Sequence, residues 1–132
     1  MAIELSDDEE VLFRQVHPGF MQGDAPSSQS FMPTPKDDNK LSVDRSALTT
    51  AKESYGLYTG NGSESAAVYG LTVGEFREHD IPCTEDPLDA SDGKAANPAH
   101  ALANYEAHAP SRQKTKAKRL KQKALARGRL YP

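Results

Sequence analysis

Glycine and proline interrupt this chain so often that apolar periodicity survives only in short segments. The chain has 132 residues, with nine glycines, nine prolines and an apolar fraction of 36%, which is below the ~45 to 50% of typical globular chains. A chain of this length organises a single hydrophobic core, which excludes a two-domain enzyme. We therefore expect one small domain with a modest core and long loops.

Three segments carry the apolar patterns of buried or half-buried strands, namely residues 11–16, 41–45 and 66–73. The second is expected to lead into a helix capped by Ser46 and broken between Gly56 and Gly62. The third is expected to lead into a short helix that ends near His79. Seven apolar side chains on these segments form the expected core: Phe13, Leu41, Val43, Val68, Leu71, Val73 and Phe76.

Two longer segments, residues 20–39 and 84–97, are rich in Gly, Pro, Ser and Asp and indicate loops. A short extended piece is expected at residues 29–32 within the first. Residues 98–106 fit either a strand or a helix that starts with proline. Together the elements predict an α+β fold: a small single domain with a short mixed sheet, one or two short helices, long Pro/Gly loops and a basic C-terminal helix.

Charge divides the chain at residue 110. Residues 1–110 hold all 19 acids and seven bases, a net charge of −12, whereas residues 111–132 hold no acid and nine bases. Helix propensity is high from Ser111 until Gly128. We therefore expect an acidic α+β domain over residues 1–110 and a detached, basic helical tail over residues 111–132. The nine bases are Arg112, Lys114, Lys116, Lys118, Arg119, Lys121, Lys123, Arg127 and Arg129.

The basic tail is suited to a phosphate backbone or an acidic protein surface. Its apolar stripe contains a single leucine, Leu120, which is too little for membrane insertion. The expected function is that of a non-enzymatic accessory protein whose acidic body docks on a protein partner while the tail contacts nucleic acid or an acidic surface. The alternative is a mobile basic tail that balances the acidic body or packs against it and has no dedicated partner. A detached tail also implies that truncation after Pro110 leaves the thermal midpoint nearly unchanged.

The N-terminal residues indicate the cellular compartment, and the single cysteine limits the chemistry that the chain can perform. An acidic run follows the first residues and no long apolar window occurs, so we expect a cytoplasmic protein without membrane contact. Cys83 allows no intramolecular disulfide, and neighbouring carboxylates disfavour its thiolate, which indicates a passive residue. The widely spaced His79, His100 and His108 predict no metal site, and no cofactor motif is found.

An enzymatic alternative rests on a set of polar residues: Arg14, His17, Ser42, Arg45, Tyr55 and His100. An arginine on a first strand and a serine-bearing strand that feeds a helix resemble the layout of ADP-ribosyltransferase-like folds, in which such residues hold a dinucleotide. That resemblance implies a catalytic glutamate on a later strand, for which Glu106 is the only candidate. The Ser-Thr-Ser signature of the arginine-specific branch is missing.

The enzymatic alternative is a small or degenerate enzyme that uses Arg14, His17, Ser42 and His100. Convergence of these four side chains in one cleft of a few hundred Å³ would favour it. The structural alternative is an ion pair between Arg14 and Asp44 across adjacent strands, with His100 as a capped or core histidine.

A second resemblance covers about residues 11–105. It rests on residues 14–18, 26–31, 33–37, 41–43, 86–87 and 98–101, which are similar to a group of small bacterial proteins with no assigned activity. The resemblance implies one compact domain, names no ligand and leaves the basic segment uncovered.

Overall fold

Two β-sheets and three α-helices make up the computed structural model, which describes residues 3–132. The strands are β1 Val11–Val16, β2 Met21–Gln22, β3 Ala25–Pro26, β4 Lys40–Arg45, β5 Ala67–Thr72, β6 Cys83–Glu85 and β7 His100–Asn104. The helices are α1 Ala51–Gly60, α2 Val73–Arg77 and α3 Pro110–Arg127. Single 3-10 turns lie at Pro18–Phe20, Ser28–Phe31 and Pro35–Asp37.

The main sheet has five strands in the order β5-β1-β4-β7-β6, and β2 pairs with β3 in a small separate sheet. The predicted α+β class is confirmed. Every pairing between these strands is antiparallel, so the sheet is antiparallel where a mixed sheet is expected from the sequence. The register places Phe13 opposite Asp44, and Asp44 opposite His100. Side chains from three strands thereby share one face of the sheet.

The opposite face carries the main hydrophobic cluster. It gathers alternate residues of the central strands, among them Leu12, Leu41 and Val43, under apolar residues of α2 and α3. All seven predicted core residues are buried. Phe31 and Tyr105 are also fully buried but are not in the predicted core, because neither lies in the three segments from which that core is drawn. The Tyr105 hydroxyl donates a hydrogen bond to the Phe31 carbonyl.

Helix α1 begins later and ends later than the sequence pattern indicates. Thr50 is the N-cap and its Oγ1 accepts a hydrogen bond from the Glu53 amide at 3.1 Å, whereas Ser46 lies in a turn before the helix. A threonine followed three residues later by glutamate is the stronger start signal. The helix continues through Gly56 to Gly60 because tertiary contacts with the sheet outweigh the cost of an interior glycine.

Four shorter elements can also be compared with the expectations. Residues 98–106 contain a strand, β7, and β6 starts at Cys83 and extends into the segment 84–97 that is expected to be a loop. Ser28–Phe31 forms a 3-10 turn in place of an extended piece. Helix α2 starts after Thr72, which forms a capping box with Glu75.

Helix α3 is packed on the sheet, which overturns the expectation of a detached tail. Gln113, Ala117, Leu120 and Ala124 are buried, at the spacing of one helical face. The helix packs chiefly on β5 and on the turn Ser28–Phe31, and its buried apolar residues belong to the main hydrophobic cluster. The thin apolar stripe is therefore sufficient to dock the helix.

The residues after α3 close an edge of the sheet. The Leu130 amide donates to the Val68 carbonyl at 2.9 Å, and the Val68 amide donates to the Tyr131 carbonyl at 2.7 Å. Strand β5 would otherwise present unpaired backbone groups at the sheet edge. The C-terminal segment is thus an integral part of the domain.

Within residues 3–132, no helix combines the length and the apolar character that crossing a membrane requires.

Candidate functional site

The first candidate site is the solvent side of α3. Since Gln113, Ala117, Leu120 and Ala124 face the sheet, helical geometry places the basic residues in two rows that flank this stripe. We call the two rows together the basic face. One row contains Arg112, Lys116, Arg119 and Lys123, and the other contains Lys114, Lys118 and Lys121.

The two remaining bases of the segment attach α3 to the domain. Arg127 forms a two-point ion pair with Glu75, with Nη1–Oε1 at 2.9 Å and Nη2–Oε2 at 3.1 Å. Its Nη1 also donates to the Gly70 carbonyl at 2.8 Å. Arg129 donates to the Asp24 carbonyl at 3.2 Å. Arg127 and Arg129 therefore dock the C-terminal segment, although both belong to the set predicted to bind a partner.

The seven cations of the basic face are free of such contacts. Across residues 3–132, none of them forms an ion pair with a carboxylate. Their field reaches the turn that follows α2, where burial, together with the charges of Lys116 and Arg119, lowers the pKa of His79. The basic face is thus a fixed surface of positive potential.

The second candidate site is a cleft on the opposite side of the sheet. It has a volume of about 520 Å³ and lies between β1, β4, α1 and residues 88–97. Its lining includes Phe13, Arg14, Ser42, Tyr58, Lys94 and His100. The size is that of a small-molecule site.

The cleft brings together three of the four residues of the enzymatic alternative. Arg14, Ser42 and His100 line it, but His17 does not. His17 caps the turn at Pro18–Phe20, where its Nδ1 accepts from the Gly19 amide at 2.9 Å. The required convergence of four side chains is therefore incomplete.

The other residues of that constellation have structural partners elsewhere. Arg45 forms an ion pair with Glu10 at 3.0 Å, and the rings of Tyr55 and Tyr131 are 5.1 Å apart. Glu106 is exposed and does not line the cleft.

Arg14 lies where two strands separate. Strands β1 and β4 pair only at Leu12–Arg45 and Phe13–Asp44, so the sheet opens at the next residue. Arg14 occupies this opening, with Nε donating to the Ser30 carbonyl at 2.7 Å and Nη1 to the Ser42 carbonyl at 3.1 Å. Burial lowers its pKa, although nearby Tyr58, Tyr105 and Asp37 act in the opposite direction.

Asp44 lies in the cleft wall without the expected ion pair to Arg14. Its Oδ2 accepts from the Ser54 hydroxyl at 2.6 Å, and its Oδ1 accepts from the Asn97 amide at 2.8 Å. Gln15 in turn donates to Ser54 at 2.9 Å. Both carboxylate oxygens are satisfied, which favours a structural role. Sequence reasoning missed this network because Asp44 and Asn97 are 53 positions apart.

His100 is held in a fixed orientation, and Cys83 is not an activated nucleophile. The Nδ1 of His100 donates to the carboxylate and the carbonyl oxygen of Asp86, each at 3.0 Å. Burial raises the pKa of the Cys83 thiol to about 12, which keeps it protonated. In the described part of the chain, His, Cys, Asp and Glu side chains form no group of three that could hold a metal ion.

Comparisons with protein-family models, curated proteins and solved structures returned no match.

Proposed function

We propose that this protein is a non-enzymatic accessory protein whose basic face contacts the phosphate backbone of nucleic acid. One observation carries the proposal: seven cations on a rigidly docked helix form no ion pair with any carboxylate of residues 3–132. Unpaired fixed cations attract a polyanion without the cost of breaking internal pairs or ordering the helix.

The arrangement of the basic face favours nucleic acid over an acidic protein. Arg112 and Lys123 are separated by eleven residues, which corresponds to ~16 Å along the helix axis. A row of cations of this length matches a continuous line of phosphates, whereas acidic protein surfaces mix charged and neutral groups. The basic face has no aromatic ring for stacking on bases. We therefore expect binding that is independent of base sequence.

The remainder of the domain supports a second part of the proposal. Residues 1–110 carry a net charge of −12, which repels nucleic acid and leaves the basic face as the approachable surface. We assign to this acidic body the contact with a protein partner. Purification of the full chain from its host, with and without nuclease treatment, would separate a protein bound directly from one bridged by nucleic acid.

The test of the nucleic-acid proposal is fluorescence anisotropy with labelled duplex and single-stranded probes of equal length. The triple variant Lys116→Glu, Arg119→Glu, Lys123→Glu reverses most of one row. We expect it to bind at least ~100-fold more weakly at low salt, because each lost phosphate contact removes counterion release and each glutamate adds repulsion.

A matched control changes net charge by the same amount outside α3. Lys36, Lys52 and Lys94 are exposed residues of the body, and their simultaneous replacement by Glu is expected to leave most of the affinity. Equal weakening by both triple variants would show a net-charge effect and contradict the proposal. Equal, weak binding by the wild type and the α3 variant would leave an acidic protein as the better partner.

A further inference from the structure

The cleft between the sheet and α1 combines an apolar lining with cationic groups. Phe13, Leu57 and Leu88 supply apolar surface, and Tyr58 adds an aromatic ring that is 38% exposed. Arg14 and Lys94 supply positive charge. A few polar groups in an otherwise apolar cavity are typical of a small-molecule site.

The charge of Arg14 is not neutralised by the protein. Its Nε and Nη1 donate to the carbonyls of Ser30 and Ser42, which are neutral acceptors. Within residues 3–132, Nη2 has no hydrogen-bond partner, and the guanidinium forms no ion pair. A partly buried guanidinium without a carboxylate is a ready partner for an anion.

Two carboxylates line the cleft, Asp44 on the sheet and the exposed Asp89 in residues 88–97, and the one on the sheet is already engaged. Asp44 lines the cleft, but its two oxygens accept from Ser54 and Asn97. These two hydrogen bonds link β4 to α1 and to residues 88–97 in the wall of the cleft. Asp44 therefore leaves Arg14 available to a ligand.

The wall opposite the sheet is held in place before any ligand binds. Asn61 at the end of α1 accepts from the Ala95 amide at 3.0 Å, and Leu88 and Asn97 exchange backbone hydrogen bonds at 2.9 and 2.8 Å. These contacts fix residues 88–97 beside α1. A preformed cleft binds its ligand with a smaller entropic cost.

We propose that the cleft binds a small organic anion, a carboxylate or a phosphate monoester, whose anionic group contacts Arg14 and whose planar apolar body contacts Tyr58 and Leu88. The volume of about 520 Å³ suits a ligand of this kind. Lys94 adds attraction at the rim, where it is exposed. This site is on the other side of the sheet from the basic face, so it is independent of nucleic-acid binding.

Titration calorimetry of the full chain with matched probes tests the inference. The probes are 2-naphthoate, 2-naphthyl phosphate, the neutral 2-naphthamide and inorganic phosphate. We expect at least one naphthyl anion to bind at least ~10-fold more tightly than the amide, as charge-assisted hydrogen bonds require. The tighter of the two anions identifies the head group. Amide binding as tight as both anions, or no binding by either anion, would overturn the inference.

Variants locate the binding in the cleft. Arg14→Met is expected to weaken anion binding at least ~10-fold and leave amide binding unchanged. Because Arg14 also bridges two strands, a second variant, Leu88→Ser, removes exposed apolar lining without touching that bridge. It is expected to weaken binding of both the anion and the amide. Inorganic phosphate that binds as tightly as naphthyl phosphate would contradict the role of the apolar body.

Leu48→Ser is the matched control for Leu88→Ser, since Leu48 is 55% exposed and Leu88 is 44% exposed, and Leu48 is not part of the cleft. A second variant, Lys94→Gln, is expected to weaken anion binding up to ~5-fold at low salt. Its matched control is Lys52→Gln, because Lys52 is also exposed but does not line the cleft. If each cleft variant weakened anion binding no more than its matched control, the bound anion would lie outside the cleft and the inference would be overturned.

Discussion

Arg127 and Glu75 join the last turn of α3 to the first turn of α2 through two hydrogen bonds, Nη1–Oε1 at 2.9 Å and Nη2–Oε2 at 3.1 Å. Glu75 has a second function, because its Oε1 also accepts from the Thr72 amide at 2.8 Å and completes the capping box of α2. The same carboxylate therefore starts one helix and anchors the end of another. Glu75 is thus the acid that pairs with the C-terminal end of the chain's most basic helix.

Removal of the Glu75 charge should make stability less dependent on pH. Burial alone would raise the pKa of Glu75, but hydrogen bonds from Arg127 and Thr72 and the charges of Arg127 and Lys123 outweigh it and lower the pKa below the ordinary value of 4.5. A lowered folded-state pKa stabilises above pH ~4.5, and this contribution disappears as the pH falls through the folded-state value.

Urea unfolding of the wild type and Glu75→Gln over an acidic pH series measures this effect. The stability difference between the two proteins should be largest above pH ~4.5 and should shrink at lower pH. A difference that stays constant across the series would show that the ionised form of Glu75 contributes nothing.

Leu120 should be essential for stability even though it lies in the most charged segment. It is 0% exposed and belongs to the main hydrophobic cluster. Leu120→Ala is expected to lower the free energy of unfolding by about 2 to 5 kcal/mol. Leu125→Ala on the same helix is the control, because Leu125 is 37% exposed, and its cost should stay within about 0.5 kcal/mol. Equal costs in denaturant unfolding would mean that α3 is not docked as described.

Gly70 should tolerate no side chain. A Cβ at this position would lie 2.7 Å from Leu130 Cδ1 and 2.8 Å from Val11 Cγ1. Gly70→Ala is therefore expected to cost about 1 to 3 kcal/mol through overpacking. Gly56→Ala is the matched control, since no atom lies within 4 Å of the added Cβ in α1, and it should stabilise by about 0.4 to 1 kcal/mol. Thermal unfolding that ranks the two variants in the opposite order would contradict this packing.

Cys83 should be unreactive in the folded protein. Burial raises the pKa of its thiol to about 12, and the residue is 1% exposed. A thiol-specific chromogenic reagent at neutral pH is expected to label it rapidly in urea and negligibly without urea. Rapid labelling of the native protein would show that the thiol is accessible and partly ionised.

The elements that sequence reasoning predicted well are those whose local pattern agrees with their tertiary role. Strands β1, β4 and β5 each show either an alternation of apolar and polar residues or a continuous apolar run. Each of these strands is buried on at least one face. Strand β6 has only three residues and pairs with β7 across a loop. No local pattern distinguishes so short a strand from the loop around it.

The packing of α3 was mispredicted for a physical reason. Its apolar stripe contains only Ala117, Leu120 and Ala124, which indicates weak docking when the helix is considered alone. Sequence analysis does not reveal that β5 and the turn Ser28–Phe31 lie under this stripe and complete the buried cluster. It also does not reveal that Arg127 finds Glu75, a partner 52 positions away.

The cleft was predictable only in part. Arg14, Ser42 and His100 were singled out by residue type, and the structure places all three in its wall. His17 belongs to the same predicted set, but a capping hydrogen bond directs its side chain to Gly19. Lys94 lies in an irregular segment where sequence offers no spatial signal.

The salt dependence of nucleic-acid binding tests the role of the basic face most directly. If four of its seven cations contact phosphates, the logarithm of the affinity for duplex DNA should fall against the logarithm of salt concentration with a slope of about −3.6, or about −2.8 for a single strand. The triple variant Lys116→Glu, Arg119→Glu, Lys123→Glu should lose most of the binding and the slope, and unrelated probe sequences should give the same values. A slope near zero, or one unchanged in the variant, would contradict phosphate contact by the basic face.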